Sequence, residues 1–119
     1  GNWADPALLP GQRWDLILAD LLLGAVEAFA PFSQWPLLAR LAGSLRPGGH
    51  LLFVGLEPPR AASPAAEEAG RLREAALLLA GRRPYREYPE ALVVWELNRS
   101  GLVVESSARF VLATSSMAL

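Results

Sequence analysis

Between residues 81 and 89 the chain reads Gly-Arg-Arg-Pro-Tyr-Arg-Glu-Tyr-Pro, which sets Arg82, Arg83 and Arg86 beside Tyr85 and Tyr88. Guanidinium groups grip carboxylates bidentately and stack on flat faces, and phenols add a ring with a polar tip. The cluster therefore suits a carboxylate or a flat polar ligand. The alternative is a solvated connector whose arginines pair with Glu87 and Glu90. A nucleic-acid contact has less to stand on, because the patch is short and the chain's net charge is −1.

Asp20 is a second candidate, since it follows the apolar run Leu16, Ile17, Leu18, Ala19 directly. Ligands of parallel sheets sit beyond the carboxyl ends of the strands. A carboxylate there can orient a substrate amine; the same residue can instead cap the short helix that follows. His50 is the sole histidine and there is no cysteine. A second histidine for a metal pair, a thiolate and a Ser-His-Asp order are all lacking, so zinc and hydrolytic chemistry have no residues to use. His50 reads as a structural or exposed residue.

These side chains need a frame. Residues 1–12 carry Pro6, Pro10 and Gly11 and read as a loop. Residues 13–56 read as strand, helix and strand. The continuous apolar runs 16–19 and 51–54 suit strands covered on both faces, hence central ones. Between them, residues 21–29 form a short helical stretch before Pro31, and Ser33 is placed to cap a second helix that tolerates Pro36 in its first turn. Trp35, Leu38, Leu41 and Leu45 recur at helical spacing. That helix should stop near Arg46, with Pro47-Gly48-Gly49 turning into the second strand.

Residues 57–101 read as a loop and two helices. Ser63-Pro64 followed by Glu67 and Glu68 is a helix start with a stripe of Ala69, Leu72, Ala76 and Leu79, closed by Gly81. A further helix runs over 89–99 and ends at Gly101. Residues 102–113, rich in β-branched and apolar side chains, predict a last strand.

Composition sets the outer limits. The 119 residues are 52% hydrophobic and 19% charged, enough for one folded domain burying roughly two-thirds of its unfolded surface. Charges interrupt every long apolar run, so no membrane span and no membrane partner are expected. All eleven basic residues are arginine, which reads as compositional bias. The absence of cysteine fits a reducing compartment, and the expected location is cytoplasmic. The chain begins at Gly1 and its only methionine is Met117, so the true start is expected elsewhere.

The run Trp14-Asp15-Leu16-Ile17-Leu18-Ala19-Asp20, followed by Leu45-Arg46-Pro47-Gly48-Gly49-His50-Leu51-Leu52, resembles the middle of a class I S-adenosylmethionine-dependent methyltransferase. Gly1-Asn2-Trp3 is similar to the Gly-Asp-Trp-like element that holds the adenine in that family, with Asn2 in place of the acid. The Asn2 carbonyl can still accept from the adenine amine, though without a carboxylate's charge. Trp3 would cover the adenine face.

The resemblance implies a partial Rossmann-like α/β fold, a mostly parallel sheet with flanking helices whose N-terminal half is missing. It implies cofactor contacts at Asn2, Trp3, Asp20 and Leu21, and a substrate wall at Arg83, Tyr85, Arg86 and Tyr88. The glycine-rich cofactor loop is absent, so S-adenosylmethionine would bind only with the missing half present. No catalytic side chain is implied, because methyl transfer to a good nucleophile rests on proximity and alignment. The family's strand next to 16–19 is also missing, which would leave that strand an apolar edge.

Two functions follow. The first is methyl transfer to a small-molecule substrate as the carboxyl-terminal part of a methyltransferase domain, inactive alone. The second is a non-catalytic α/β interaction module that pairs with a protein partner, or with itself, through the exposed edge strand.

Overall fold

The computed structural model describes residues 2, 3, 5–8 and 10–111. Gly1 of the adenine-like element, and residues 112 and 113 of the expected last strand, lie outside the described residues. The order is β1 (Trp14–Asp20), α1 (Leu22–Phe29), α2 (Gln34–Gly43), β2 (Leu45–Val54), α3 (Pro64–Leu79) and α4 (Glu90–Arg99). The described residues thus form a mixed α/β fold with a two-stranded parallel sheet and four helices.

The register pairs Leu16 with His50, Ile17 with Leu51, Leu18 with Leu52, Ala19 with Phe53 and Asp20 with Val54. Side chains alternate across a strand, so Ile17, Ala19, Leu51 and Phe53 share one face. The helices cover that face. Leu23, Leu38, Val93 and Leu97 form one buried cluster against Leu51 and Phe53, while Val26, Leu37 and Leu41 form another against Ile17. The opposite face, carrying Leu16, Leu18, Leu52 and Val54, is bare: these four are between 46% and 63% exposed. A strand covered on both faces, as the apolar runs predict, is therefore not what forms here.

β2 begins at Leu45 instead of Leu51, so Leu45 leaves the helical stripe and α2 ends at Gly43. The Pro47-Gly48-Gly49 segment is a bulge inside β2, because the pairing runs from Trp14–Leu45 to Leu16–His50, two steps on one strand against five on the other. Backbone crowding explains the glycine. A Cβ at Gly49 would lie 2.9 Å from the Arg46 carbonyl, 3.0 Å from that of Trp14 and 3.1 Å from that of Asp15. Arg46 also bridges the bulge with a 2.7 Å ion pair to Asp15.

α3 starts where its local signals place it, with the Ser63 hydroxyl accepting from Ala66 N–H and Pro64 in the first turn. It buries no residue, and its expected stripe faces solvent at Leu72 and Leu79. α4 ends before Gly101, whose φ of 87° is the left-handed geometry that stops a helix.

The expected last strand does not form over 102–111. No backbone ladder reaches these residues; side chains hold them, through Arg109 to Glu90 and Glu57 and through Glu105 to His50. No helix among the described residues is long and apolar enough to cross a membrane. The chain exposes 9103 Å², against roughly 6,300 Å² for a compact monomer of its mass. The bare sheet face and α3 supply part of that surplus.

Candidate functional site

The carboxyl ends of β1 and β2 lie side by side, with Asp20 opposite Val54. The next residue, Leu21, donates its N–H to the Val54 carbonyl at 2.9 Å and takes φ 49°, ψ 28°. That left-handed conformation costs a non-glycine residue roughly 1–2 kcal/mol. It turns the chain off the strand into α1 at once. Leu21, not Asp20, occupies the N-cap position of α1, and no side chain caps it. Asp20 is exposed at the strand end and does not cap α1.

Asn2 and Trp3 sit over the next helix. Together with Leu22, Ala25, Val26, Phe29 and Ala30 they line a hollow of about 210 Å³ along α1. Arg40, in the last turn of α2, holds this segment by donating to the carbonyls of Trp3 and Asp5, the latter at 2.9 Å. A larger groove of about 510 Å³ runs under the same segment at the opposite end of β1, past Pro6, Pro10, Trp14 and Leu41. It lies away from the strands' carboxyl ends, and Arg40 faces backbone carbonyls there.

The four residues of the expected substrate wall point to three places, and only Arg83 and Tyr85 stay together. Arg83 lies 5.8 Å from the centroid of the Phe32 ring, and Tyr85 meets Phe29 edge-on at 6.1 Å. Phe29 therefore joins the Asn2 and Trp3 hollow to the connector. Arg86 is engaged elsewhere, in an ion pair with Glu74 of α3. Neither Glu87 nor Glu90 takes the connector's arginines: Glu87 lies against Gly24 of α1, and Glu90 is bound by Arg109 and Ser107.

Tyr88 turns inward, to a cluster that local sequence signals do not reveal. Its hydroxyl donates to Glu27 Oε2 at 3.0 Å and accepts from Gln34 Nε2 at 2.7 Å, and Gln34 Nε2 also donates to Glu27. Trp35 packs edge-on against the phenol at 4.9 Å. Gln34 is 2% exposed and Glu27 8%. Burial, then the hydrogen bond to Glu27 and its charge, push the Tyr88 hydroxyl above its ordinary pKa of 10.0. The proton stays on the phenol. Two acceptors on Nε2 fix the amide's orientation and leave Gln34 Oε1 buried with no hydrogen-bond partner among the described residues.

Glu27 stands in the sequence as a lone acid in an otherwise apolar stretch, the one local sign of a buried polar role. Gln34, Phe29 and Phe32 gave no such sign. Among the described residues no group of three histidine, aspartate or glutamate side chains could hold a metal ion. Comparison with family models, with curated proteins and with solved structures returned no match.

Proposed function

We propose that the chain is the carboxyl-terminal part of a class I methyltransferase domain with a Rossmann-like sheet, and that it supplies the adenine roof and substrate wall for S-adenosylmethionine-dependent methylation of a small molecule. One observation carries this reading. Asn2 and Trp3 line a hollow along α1, whose first turn, with Leu22 in the lining, leaves the carboxyl end of β1 through Leu21, while Trp3 also borders the groove at the other end of β1. Parallel sheets take their ligands at the carboxyl end, which the hollow reaches at Leu22. An adenine ring in the hollow would stack under Trp3 with its amine toward Asn2. The bare sheet face and the edge of β1, which no strand among the described residues pairs, are where the other half of such a domain would pack.

Saturation-transfer NMR with adenosine at millimolar concentration tests the reading. Signal at the adenine protons, lost in Trp3→Ala, is the expected result; the absence of transfer, or its persistence in Trp3→Ala, overturns the adenine assignment. Tight binding of S-adenosylmethionine by the chain alone would instead overturn its dependence on a second half.

A second reading, a non-catalytic module that pairs through β1, is favoured by the same edge with Leu16 and Leu18 exposed. Sedimentation of the chain over a wide concentration range, with no adenosine signal, separates the two readings.

A further inference from the structure

α1 ends in a turn closed by Ser33 N–H donating to the Ala30 carbonyl at 3.2 Å, with Pro31 and Phe32 at the two central positions. Phe32 has φ 71°. A turn with proline second and positive φ third is a glycine position, because any Cβ there is strained. Here a phenylalanine occupies it. Packing does not account for the choice: Phe32 is 81% exposed, and so is Phe29 at the end of α1. The ring of Tyr85 stands beside Phe29, also exposed, and the Arg83 guanidinium lies over Phe32. Neither Arg82 nor Arg83 has an ion-pair partner among the described residues.

Two contacts, Arg83 over Phe32 and Tyr85 against Phe29, thus set three solvent-facing aromatic rings, one of them held in a strained conformation, along the seam between the end of α1 and the connector, together with a guanidinium that has no ion-pair partner among the described residues. We infer that Phe29, Phe32, Tyr85 and Arg83 form a binding site for a planar aromatic acid. The ring of the ligand lies against Phe29 and Phe32, with its carboxylate on Arg83. Strained backbone clusters at ligand sites, and a planar guanidinium matches a carboxylate bidentately. The site continues into the Asn2 and Trp3 hollow through Phe29. Naming this ligand as the methyl acceptor rests on the methyltransferase reading; the site itself does not.

The test is ligand-observed NMR on the whole chain without cofactor, using benzoate, its neutral counterpart benzamide, and acetate. Benzoate should bind about fivefold more tightly than benzamide, the scale of one exposed charge pair, and acetate should not compete. Arg83→Gln should bring benzoate and benzamide together. Phe32→Gly should raise Tm by a few degrees, on the order of 3 °C, while weakening both aromatic ligands. The rise in Tm shows that lost binding is not lost folding.

Equal affinity of the native chain for benzoate and benzamide, a preference for benzoate that survives Arg83→Gln, or full competition by acetate would each overturn the assignment. Benzoate binding without adenosine binding would keep the site and remove the methyl acceptor.

Discussion

The Tyr88 hydroxyl donates a 3.0 Å hydrogen bond to the buried Glu27 carboxylate across 61 positions of sequence. With Gln34 donating to both, this contact ties the connector at 81–89 to α1 and α2. Removing the hydroxyl leaves a buried carboxylate with one donor fewer. Tyr88→Phe should therefore destabilise the fold by about 1–2 kcal/mol in denaturant unfolding, and Glu27→Gln, which can still accept, by less than Glu27→Ala. An unchanged midpoint in Tyr88→Phe would mean that the connector is not anchored here.

The same bond sets a pH dependence. The folded chain keeps the Tyr88 proton above the ordinary value of 10.0, whereas the unfolded chain releases it near that value. The folded state thus binds more protons in alkali, and its stability falls as pH rises. The contribution is complete below the unfolded pKa and is lost as pH passes through the folded one. Between about pH 9 and pH 11, Tm should fall more steeply in the native chain than in Tyr88→Phe.

Glu90 titrates in the other direction. Hydrogen bonds from Ser107 and then Arg109 hold its carboxyl below the ordinary value of 4.5. That attachment is complete above the ordinary value and is lost as pH falls through the lowered one. Backbone order parameters over 103–111 should drop on acidification, and in Arg109→Gln they should be low already at neutral pH. Equal order in the two proteins at neutral pH would show that the ion pairs do not hold this segment.

Gly49 and Gly24 separate two kinds of crowding. A Cβ at Gly49 meets three backbone carbonyls at 2.9 to 3.1 Å, and none of them can move without opening the β2 bulge. At Gly24 the three atoms nearest a Cβ all belong to the Glu87 carboxyl group, the far end of a flexible side chain. Gly49→Ala should cost about 1–3 kcal/mol. Gly24→Ala should be neutral or stabilising by up to about 1 kcal/mol, since alanine favours the helix interior.

The features that sequence made legible are those with local causes. Ser63, Pro64 and Glu67 start α3 within one turn, and Gly101 stops α4 by its own backbone geometry. The Pro47-Gly48-Gly49 bulge is a different case: the need for Gly49 comes from the Arg46 carbonyl across the bulge and, on another strand, from the carbonyls of Trp14 and Asp15. Residues 102–111 have strand-forming side chains but no backbone to pair with, and a strand is a property of two segments. Among the candidate residues, Trp3 and Asn2 stand out through their likeness to a known element, and Tyr85 and Arg83 through their chemistry. Glu27 and Gln34 become a pair only when α1 and α2 fold back on each other. Phe32 carries no local signal, because turn rules assign its position to glycine.

The bare sheet face yields the last prediction. Leu18 and Leu52 are paired in register and point away from the helices, each more than half exposed. Leu38, on the covered side, is fully buried. Cutting back a leucine in a packed core costs about 2–5 kcal/mol, so Leu38→Ala should lower stability by that amount. Leu18→Lys alters a mostly exposed side chain and places a charge in water, so stability should hold within about 0.5 kcal/mol. A charge on this face would also oppose burial of the sheet against any covering layer. If the chain self-associates, Leu18→Lys should shift it toward monomer in sedimentation at unchanged Tm. A loss of stability in Leu18→Lys comparable to that in Leu38→Ala, measured at dilutions where the chain is monomeric, would show that the face is already covered within one chain.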